Sequence, residues 1–143
     1  MFNILEALAD HARERVRLSK TIVPTGEIKS AALSLPSGDL AFERALKTRD
    51  ISFICECKKA SPSRGIIAPD FPYFQIAKEY EQAGADCISV LTEPKWFLGN
   101  DEYLRDIASA VSVPCLRKDF TVDEYMIYEA KLLGAKAVLL ICS

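Results

Sequence analysis

Two charged side chains follow directly on a short apolar run near the middle of the chain. Glu56 and Lys58 stand two residues apart in "ISFICECKKASPSRG", where the run ends and a loop of Ser, Pro and Gly begins. Because alternate residues of a strand point to the same face, the carboxylate and the ammonium group share one face, and Cys55 and Cys57 share the other. The spacing alone fits a solvated ion pair as well as a pair that handles a substrate.

A second apolar run also ends in charge. "VPCLRKDF" places Lys118 and Asp119 after apolar residues, with Leu116 and Lys118 on one face and Arg117 on the other. Two strands of one sheet would then deliver lysines at their C-terminal ends. Lysines that are crowded together in a dry pocket become usable proton donors, and a nearby carboxylate completes an acid–base site.

Aromatic side chains follow the same strand ends. Phe97 lies in "TEPKWFLGN", and Phe120 comes two residues after Lys118. Both are placed to form the walls of a site for an aromatic substrate, whereas Trp96 is expected to pack as a minor part of the core.

Strand and helix patterns alternate from Ile51 onward. The apolar runs "ISFICE", "CISVLT", "VPCLRKDF" and "AKAVLLICS" read as strands, separated by the amphipathic segments "DFPYFQIAKEYEQAGAD", "NDEYLRDIASAV" and "TVDEYMIYEAKLLG". Near-continuous apolar strands are typical of a parallel sheet that is buried on both faces. The pattern predicts an α/β fold, either a (β/α) barrel or a doubly wound sheet.

A weak internal repeat supports these units. "AGADCISVL" resembles "LGAKAVLLI", and in both segments a glycine, Gly84 or Gly134, is expected to end a helix in the left-handed conformation before a strand begins. Residues 1–50 show helical patterns and no recognisable chemistry, so they are expected to form a helical extension. Residues 51–143 are expected to hold the first four strands of an eight-stranded barrel, an incomplete domain, because "AVLLI" has the composition of a central strand with no partner for its outer edge.

Composition excludes several classes of protein. The net charge is −2 and the 18 basic residues are scattered among the acids, which argues against a nucleic-acid partner. The longest apolar runs are too short to span a bilayer, so no membrane partner is expected. Five cysteines without framework spacing suit a reducing cytoplasm. The Cys55–Cys57 pair is expected to be packing rather than a metal site, His11 to be a surface or interface residue, and Arg64 to lie at a rim rather than bind phosphate.

Three motifs in order resemble one family, the indole-3-glycerol phosphate synthases of tryptophan biosynthesis. Its Glu-x-Lys followed by Ser-Pro-Ser stands here as Glu56, Lys58, Ser61, Pro62 and Ser63. Its second-strand loop stands as residues 91–99, "LTEPKWFLG", and its Lys-Asp-Phe as residues 118–120. The resemblance covers residues 51–141 most strongly and implies a (β/α)8 TIM barrel preceded by a helical extension.

The resemblance also implies a reaction and its residues. The family is a carbon–carbon lyase (carboxy-lyase): it closes the ring of 1-(2-carboxyphenylamino)-1-deoxyribulose 5-phosphate, a sugar-phosphate substrate, with loss of carbon dioxide and then water, and no metal or organic cofactor is implied. Lys118 would be the general acid, Lys58 would pair with the substrate carboxylate, and Glu56 would orient the anilino nitrogen or Lys58. The residues implied in substrate binding are Ser61, Pro62, Phe97, Phe120 and Leu139.

The family's barrel has four more strands, which carry a second essential glutamate and the phosphate-binding loops. We therefore expect this chain alone to have little or no turnover. Two alternatives remain open: a non-catalytic half-barrel that self-associates through its exposed strand edges or complements a missing half, and another phosphate-binding barrel enzyme such as a phosphoribosyl isomerase.

Overall fold

The computed structural model describes residues 4–142. Three helices come first and then strands and helices alternate: α1 (Ile4–Ile22), α2 (Thr25–Ser34), α3 (Ala41–Leu46), β1 (Ile54–Cys57), β2 (Ala60–Ser61), β3 (Gly65–Ile66), α4 (Tyr73–Gln82), β4 (Cys87–Leu91), α5 (Asp101–Ala110), β5 (Cys115–Lys118), α6 (Glu124–Leu132) and β6 (Ala137–Val138).

Four of the strands form one parallel sheet in the order β1-β4-β5-β6. The short strands β2 and β3 form a separate antiparallel hairpin directly after β1. All five residues of β4 are buried, as expected for a central strand of a covered sheet. The predicted α/β class and the four parallel strands are confirmed, and they correspond to half of an eight-stranded barrel.

The main core lies between the sheet and the helices α4 and α5. Its buried members come from alternate strand positions and from the helix faces that meet them: Cys57, Ala77, Ile88, Val90, Leu104, Ile107, Cys115 and Leu133. Cys57 and Cys115 therefore face the helices, as the alternation predicts, and the opposite face of β1 and β5 carries Glu56 and Lys118.

The repeated glycines end two helices in the same way. Gly84 and Gly134 both have φ of 92°, in the left-handed region. Each donates its N–H to a carbonyl of the helix's last turn, and the following alanine, Ala85 or Ala135, donates at 3.0 Å to a carbonyl one residue earlier. These paired bonds form the Schellman arrangement, in which glycine avoids the steric cost of positive φ. The repeat predicted from the sequence is a repeat of structure.

The fourth strand is shorter than its sequence predicts. Of its residues up to Cys142, only Ala137 and Val138 join the sheet, where they pair with Leu116 and Arg117 of β5. Leu139 and the two residues after it lie outside the ladder, and Ser143 lies outside the described residues. An extended segment is stabilised by hydrogen-bonded neighbours, and within residues 4–142 β6 has a neighbour on one side alone.

The helix α1 is amphipathic, and it buries Leu8, Ala12 and Val16 at four-residue spacing. It reaches the loops that follow β4 and β5, while α2 packs on α6. No helix within residues 4–142 is both long and apolar enough to cross a membrane.

Candidate active site

A triad of charged side chains meets at the C-terminal ends of β1 and β5. Lys118 Nζ donates to Glu56 Oε2 at 2.8 Å, and Lys58 Nζ lies 3.1 Å from Glu56 Oε1. Each lysine thus binds a different oxygen of one carboxylate. Ser89 of β4, which pairs with Glu56 in the sheet, donates its hydroxyl to Glu56 Oε2 at 3.1 Å. The structure thus brings Glu56 and Lys58, which the alternation pattern predicts on one face of the first strand, together with Lys118 of β5.

The carboxylate of Glu56 is held in its charged form. Burial pushes its pKa upward, but hydrogen bonds and the charges of Lys118 and Lys58 outweigh burial and leave the pKa below its usual value. The side chain of Glu56 is 25% exposed, and those of the two lysines are 35% exposed. Both ammonium groups are therefore partly accessible to solvent.

The two predicted aromatic walls lie beside one another. The rings of Phe97 and Phe120 have centroids 6.3 Å apart and are tilted by 38°. Trp96 is half-buried rather than a core residue; its ring meets His11 edge-on at 5.3 Å, and Lys95 lies over its face. The sole histidine of the chain thus contacts the loop after β4.

The remaining predicted residues lie on other elements of the fold than the triad. Ser61 is buried in the β2–β3 hairpin, with its hydroxyl 3.5 Å from that of Ser63, and Pro62 is exposed beside it. Leu139 follows β6 and is half-buried. A cleft of about 590 Å³ runs between α1 and Phe120, but Glu56 and the two lysines do not line it. The triad lies on the sheet and not in this cleft.

A second ionic cluster lies behind the triad, and sequence reasoning missed it. Asp119 is 2% exposed, and Arg15 of α1 binds both of its carboxylate oxygens, at 2.6 and 3.1 Å. Thr92 donates to Asp119 at 2.6 Å and accepts a hydrogen bond from Arg117 at 3.1 Å. Arg117, 1% exposed, also binds Glu129 of α6. These bonds connect α1, the ends of β4 and β5, and α6.

Ser89 and Glu93 were also missed as site residues. A serine inside the apolar run "CISVL" is a weak signal that the face of β4 beside Glu56 is polar at that point. Glu93 is wholly buried and organises the loop after β4. Its partner His11 is 82 residues away, so no local pattern marks the pair.

No group of three or more His, Cys, Asp or Glu side chains in residues 4–142 is placed to hold a metal ion. Burial raises the pKa of Cys57 and of Cys115 to about 12. All five cysteines are free thiols. Thiols this buried are packing groups, because the metal-binding and nucleophilic form of cysteine is the thiolate.

Barrel enzymes place their active sites at the C-terminal ends of a parallel sheet, where Glu56 and Lys118 lie in this fold. A family model of indole-3-glycerol phosphate synthase matches residues 5–143. The chain belongs to the indole-3-glycerol phosphate synthase family. The match favours this family over the phosphoribosyl isomerase alternative.

Curated relatives carry the same family name over nearly the whole chain. An indole-3-glycerol phosphate synthase from Ruminiclostridium cellulolyticum is 54% identical over 141 residues, which are 98% of this chain and 54% of the relative. One from Endomicrobium trichonymphae is 50% identical over 130 residues, 91% of this chain and 50% of the relative. One from Thermoanaerobacter pseudethanolicus is 48% identical over 140 residues, 98% of this chain and 53% of the relative. The chain spans about half the length of the curated relatives it matches.

Proposed function

We propose that this chain supplies the first half of an indole-3-glycerol phosphate synthase active site. The reaction is ring closure of 1-(2-carboxyphenylamino)-1-deoxyribulose 5-phosphate with loss of carbon dioxide and water. The observation that carries the proposal is the triad, in which Lys58 and Lys118 bind the two oxygens of Glu56 at the C-terminal ends of β1 and β5. Family membership supplies the substrate.

Lys118 is the general acid of the proposed mechanism. The ring carbon that bears the carboxylate attacks the ketone carbon, and the ketone oxygen takes a proton from the Lys118 ammonium group. That oxygen later leaves as water, after the carboxylate has left as carbon dioxide. The Lys118 ammonium group is oriented by its 2.8 Å bond to Glu56, which fixes where its proton can be delivered.

Lys58 binds the substrate carboxylate and donates a proton in the dehydration. Its present partner, Glu56 Oε1 at 3.1 Å, is an oxygen of the same kind as the substrate's. Because Lys58 is 35% exposed, it can turn toward an incoming carboxylate without leaving a buried charge unpaired. Glu56, still ionised, then orients Lys58 or the anilino nitrogen.

The aromatic part of the substrate lies against Phe97 and Phe120. Two tilted rings 6.3 Å apart form one apolar wall, and a third ring can make edge or offset contacts with its free surface. Leu139 completes this apolar wall, and Ser61 and Pro62 shape the mouth from the β2–β3 hairpin.

The other half of the relatives supplies the general base and the phosphate-binding loops in this proposal. The chain is divided at Ile51 into a helical extension and the first four barrel strands. Without a phosphate site the substrate loses much of its binding energy, so the chain alone has little or no turnover. Five cysteines without framework spacing support a reducing cytoplasm as the proposed location.

Synthase turnover, followed by indole fluorescence, tests the proposal. The chain is assayed alone and then mixed with a polypeptide that contains the part of the Ruminiclostridium cellulolyticum relative it does not match. Turnover in the mixture only is the expected result. No turnover in a mixture whose two polypeptides are shown to associate would contradict the proposal. Full turnover by the chain alone would show that no second half is needed.

A second candidate function is association between half-barrels, and the strand edges of this fold favour it. The outer strands β1 and β6 have an unpaired edge within residues 4–142, and large apolar side chains near them are exposed: Ile51, Phe53, Ile54, Leu140 and Ile141. Such edges promote pairing with a second chain. A monomer by light scattering at micromolar concentration would contradict self-association.

A further inference from the structure

The loop after β4 is built around one buried carboxylate. Glu93 is 0% exposed, and backbone N–H groups of the following residues point at it. Lys95 donates to Oε1 at 3.0 Å, while Trp96 and Phe97 donate to Oε2 at 2.7 and 3.0 Å. Three amides that would otherwise need water or strand partners are satisfied by one side chain.

The same loop is also held by contacts with α1 and by a hydrogen bond between its own two ends. His11 of α1 lies with Nδ1 3.2 Å from Glu93 Oε1 and with its ring against Trp96. The Glu93 carbonyl accepts the Gly99 N–H at 2.8 Å, which closes the loop back on itself. Between these bonds Leu98 takes a φ of 51°, a conformation that a leucine adopts only when its surroundings hold it there.

We propose that Glu93 is a positioning residue that acts through Phe97. By binding the Phe97 N–H, its carboxylate holds the loop in the conformation that sets the Phe97 ring 6.3 Å from Phe120. This inference rests on the proposed function only in taking Phe97 as a substrate contact. Glu93 itself is wholly buried and does not touch the substrate.

Replacing Glu93 with glutamine removes the negative charge and one hydrogen-bond acceptor but keeps the shape of the side chain. Its size is nearly unchanged, but its amide has one accepting oxygen and one donating nitrogen. The glutamine NH2 group would then face either the backbone N–H of Lys95 or the backbone N–H groups of Trp96 and Phe97. Two donors that face each other repel, and the buried backbone donors are left without an acceptor. The loop is expected to release Phe97 while the sheet, which Glu93 does not support, stays formed.

The first test needs no catalysis. Ring-to-ring NMR cross-peaks between Phe97 and Phe120 are measured in the chain and in the Glu93→Gln variant. Trp96, the only tryptophan, adds a fluorescence readout. The control is Glu102→Gln, the same change at an exposed position. The Glu93 variant is expected to lose the cross-peaks and shift Trp96 emission to the red, while the control keeps both. Cross-peaks that persist in a folded Glu93 variant would overturn the inference.

Hydrogen exchange on the unchanged chain covers the case in which the variant does not fold. The amides of Lys95, Trp96 and Phe97 lie in a loop, yet the inference requires them to be protected because Glu93 binds them. Exchange as fast as in an unstructured peptide would overturn it.

The second test asks whether Glu93 acts through Phe97. In the active mixture, Glu93→Gln and Phe97→Leu are each expected to raise KM about fivefold, the effect of one aromatic contact, with little change in kcat. The double variant is expected to be no worse than Phe97→Leu alone, because non-additivity identifies residues that act through one another. Additive effects would contradict the inference. If no mixture turns over, the proposed function has failed, and the NMR and exchange results still decide the inference.

Discussion

Lys118 Nζ lies 2.8 Å from Glu56 Oε2, although 62 residues separate the two in sequence. The strand β4 between them makes this possible, because Glu56 pairs with Ser89 and Leu91 pairs with Lys118 in consecutive ladders. Parallel strands bring their C-terminal ends to one edge of the sheet, so residues far apart in sequence converge there. The order and direction of the strands, more than the conformation of any loop, therefore bring Glu56 and Lys118 together.

Replacing Lys118 with methionine is expected to abolish most turnover in the mixture of the two halves. Methionine keeps the aliphatic stem but removes the proton donor, and loss of a general acid costs about 10² to 10⁴ in rate. The measurement is kcat by indole fluorescence, with association of the halves checked in parallel.

The matched control is Lys136→Met, which removes the same group from an exposed position outside the triad. It is expected to leave kcat within about twofold, since surface charges contribute little. Equal losses in the two variants would show that Lys118 has no special role.

Arg15→Met is expected to destabilise the chain by roughly 3 kcal/mol. The substitution leaves the wholly buried carboxylate of Asp119 without its bidentate partner, and an uncompensated buried charge is costly. Urea unfolding measures the change in the free energy of unfolding.

Arg17→Met on the same helix serves as the comparison. Arg17 is 64% exposed and pairs with Glu14 one turn away. Its loss is expected to change the free energy of unfolding by less than about 0.5 kcal/mol. If the two variants unfolded at the same urea concentration, the Arg15–Asp119 pair would not anchor α1.

Periodic features of the fold could be predicted from the sequence. Alternation in "ISFICECK" was enough to place Glu56 and Lys58 on one face of a strand, and alternation in "CLRK" separated Lys118 from Arg117, because side-chain direction in a strand depends on position alone. The glycine repeat likewise predicted two helix ends, because left-handed backbone has a strong residue preference.

Contacts between distant, aperiodic positions could not be predicted. Arg15 and Asp119 are 104 residues apart, and nothing near either residue marks the other. Asp119 stands in a motif beside Lys118, yet it points away from the triad to anchor α1. The extent of β6 also escaped prediction, because strand length depends on which neighbours are present and not only on apolar composition.

Acid is expected to destabilise the chain partly through Asp119. Burial pushes its pKa up, but hydrogen bonds from Arg15 and Thr92, with the charge of Arg117, outweigh burial and hold the pKa below its usual value. A carboxyl with a lower pKa in the folded state stabilises the fold at pH above its unfolded pKa of about 3.9. That stabilisation is lost as pH falls through the folded pKa.

The Asp119→Asn variant tests whether Asp119 stabilises the fold at neutral pH and loses this effect in acid. The free energy of unfolding is measured by urea at pH values from 7 down to 3 in the chain and in the variant. The difference between them is expected to be largest near pH 7 and to shrink toward pH 3. A difference that stays constant, or grows with acid, would mean that Asp119 does not titrate in this way.

Gly99→Ala is expected to destabilise the loop that Glu93 organises. A Cβ at this position would lie 2.5 Å from the Leu91 carbonyl oxygen and 2.8 Å from the Thr92 carbonyl carbon. Both are backbone atoms at the end of β4, so neither can move aside as a side chain would. Overpacking of this kind costs roughly 2 kcal/mol, and we expect that loss in urea unfolding together with a red shift of Trp96 emission.

Gly38→Ala is the control, because its Cβ would meet no atom within 4 Å. The free energy of unfolding should then stay within about 0.5 kcal/mol of the unchanged chain, as at other open surface positions. A Gly99 variant as stable as the Gly38 variant, with unchanged emission, would show that the loop can withdraw from β4.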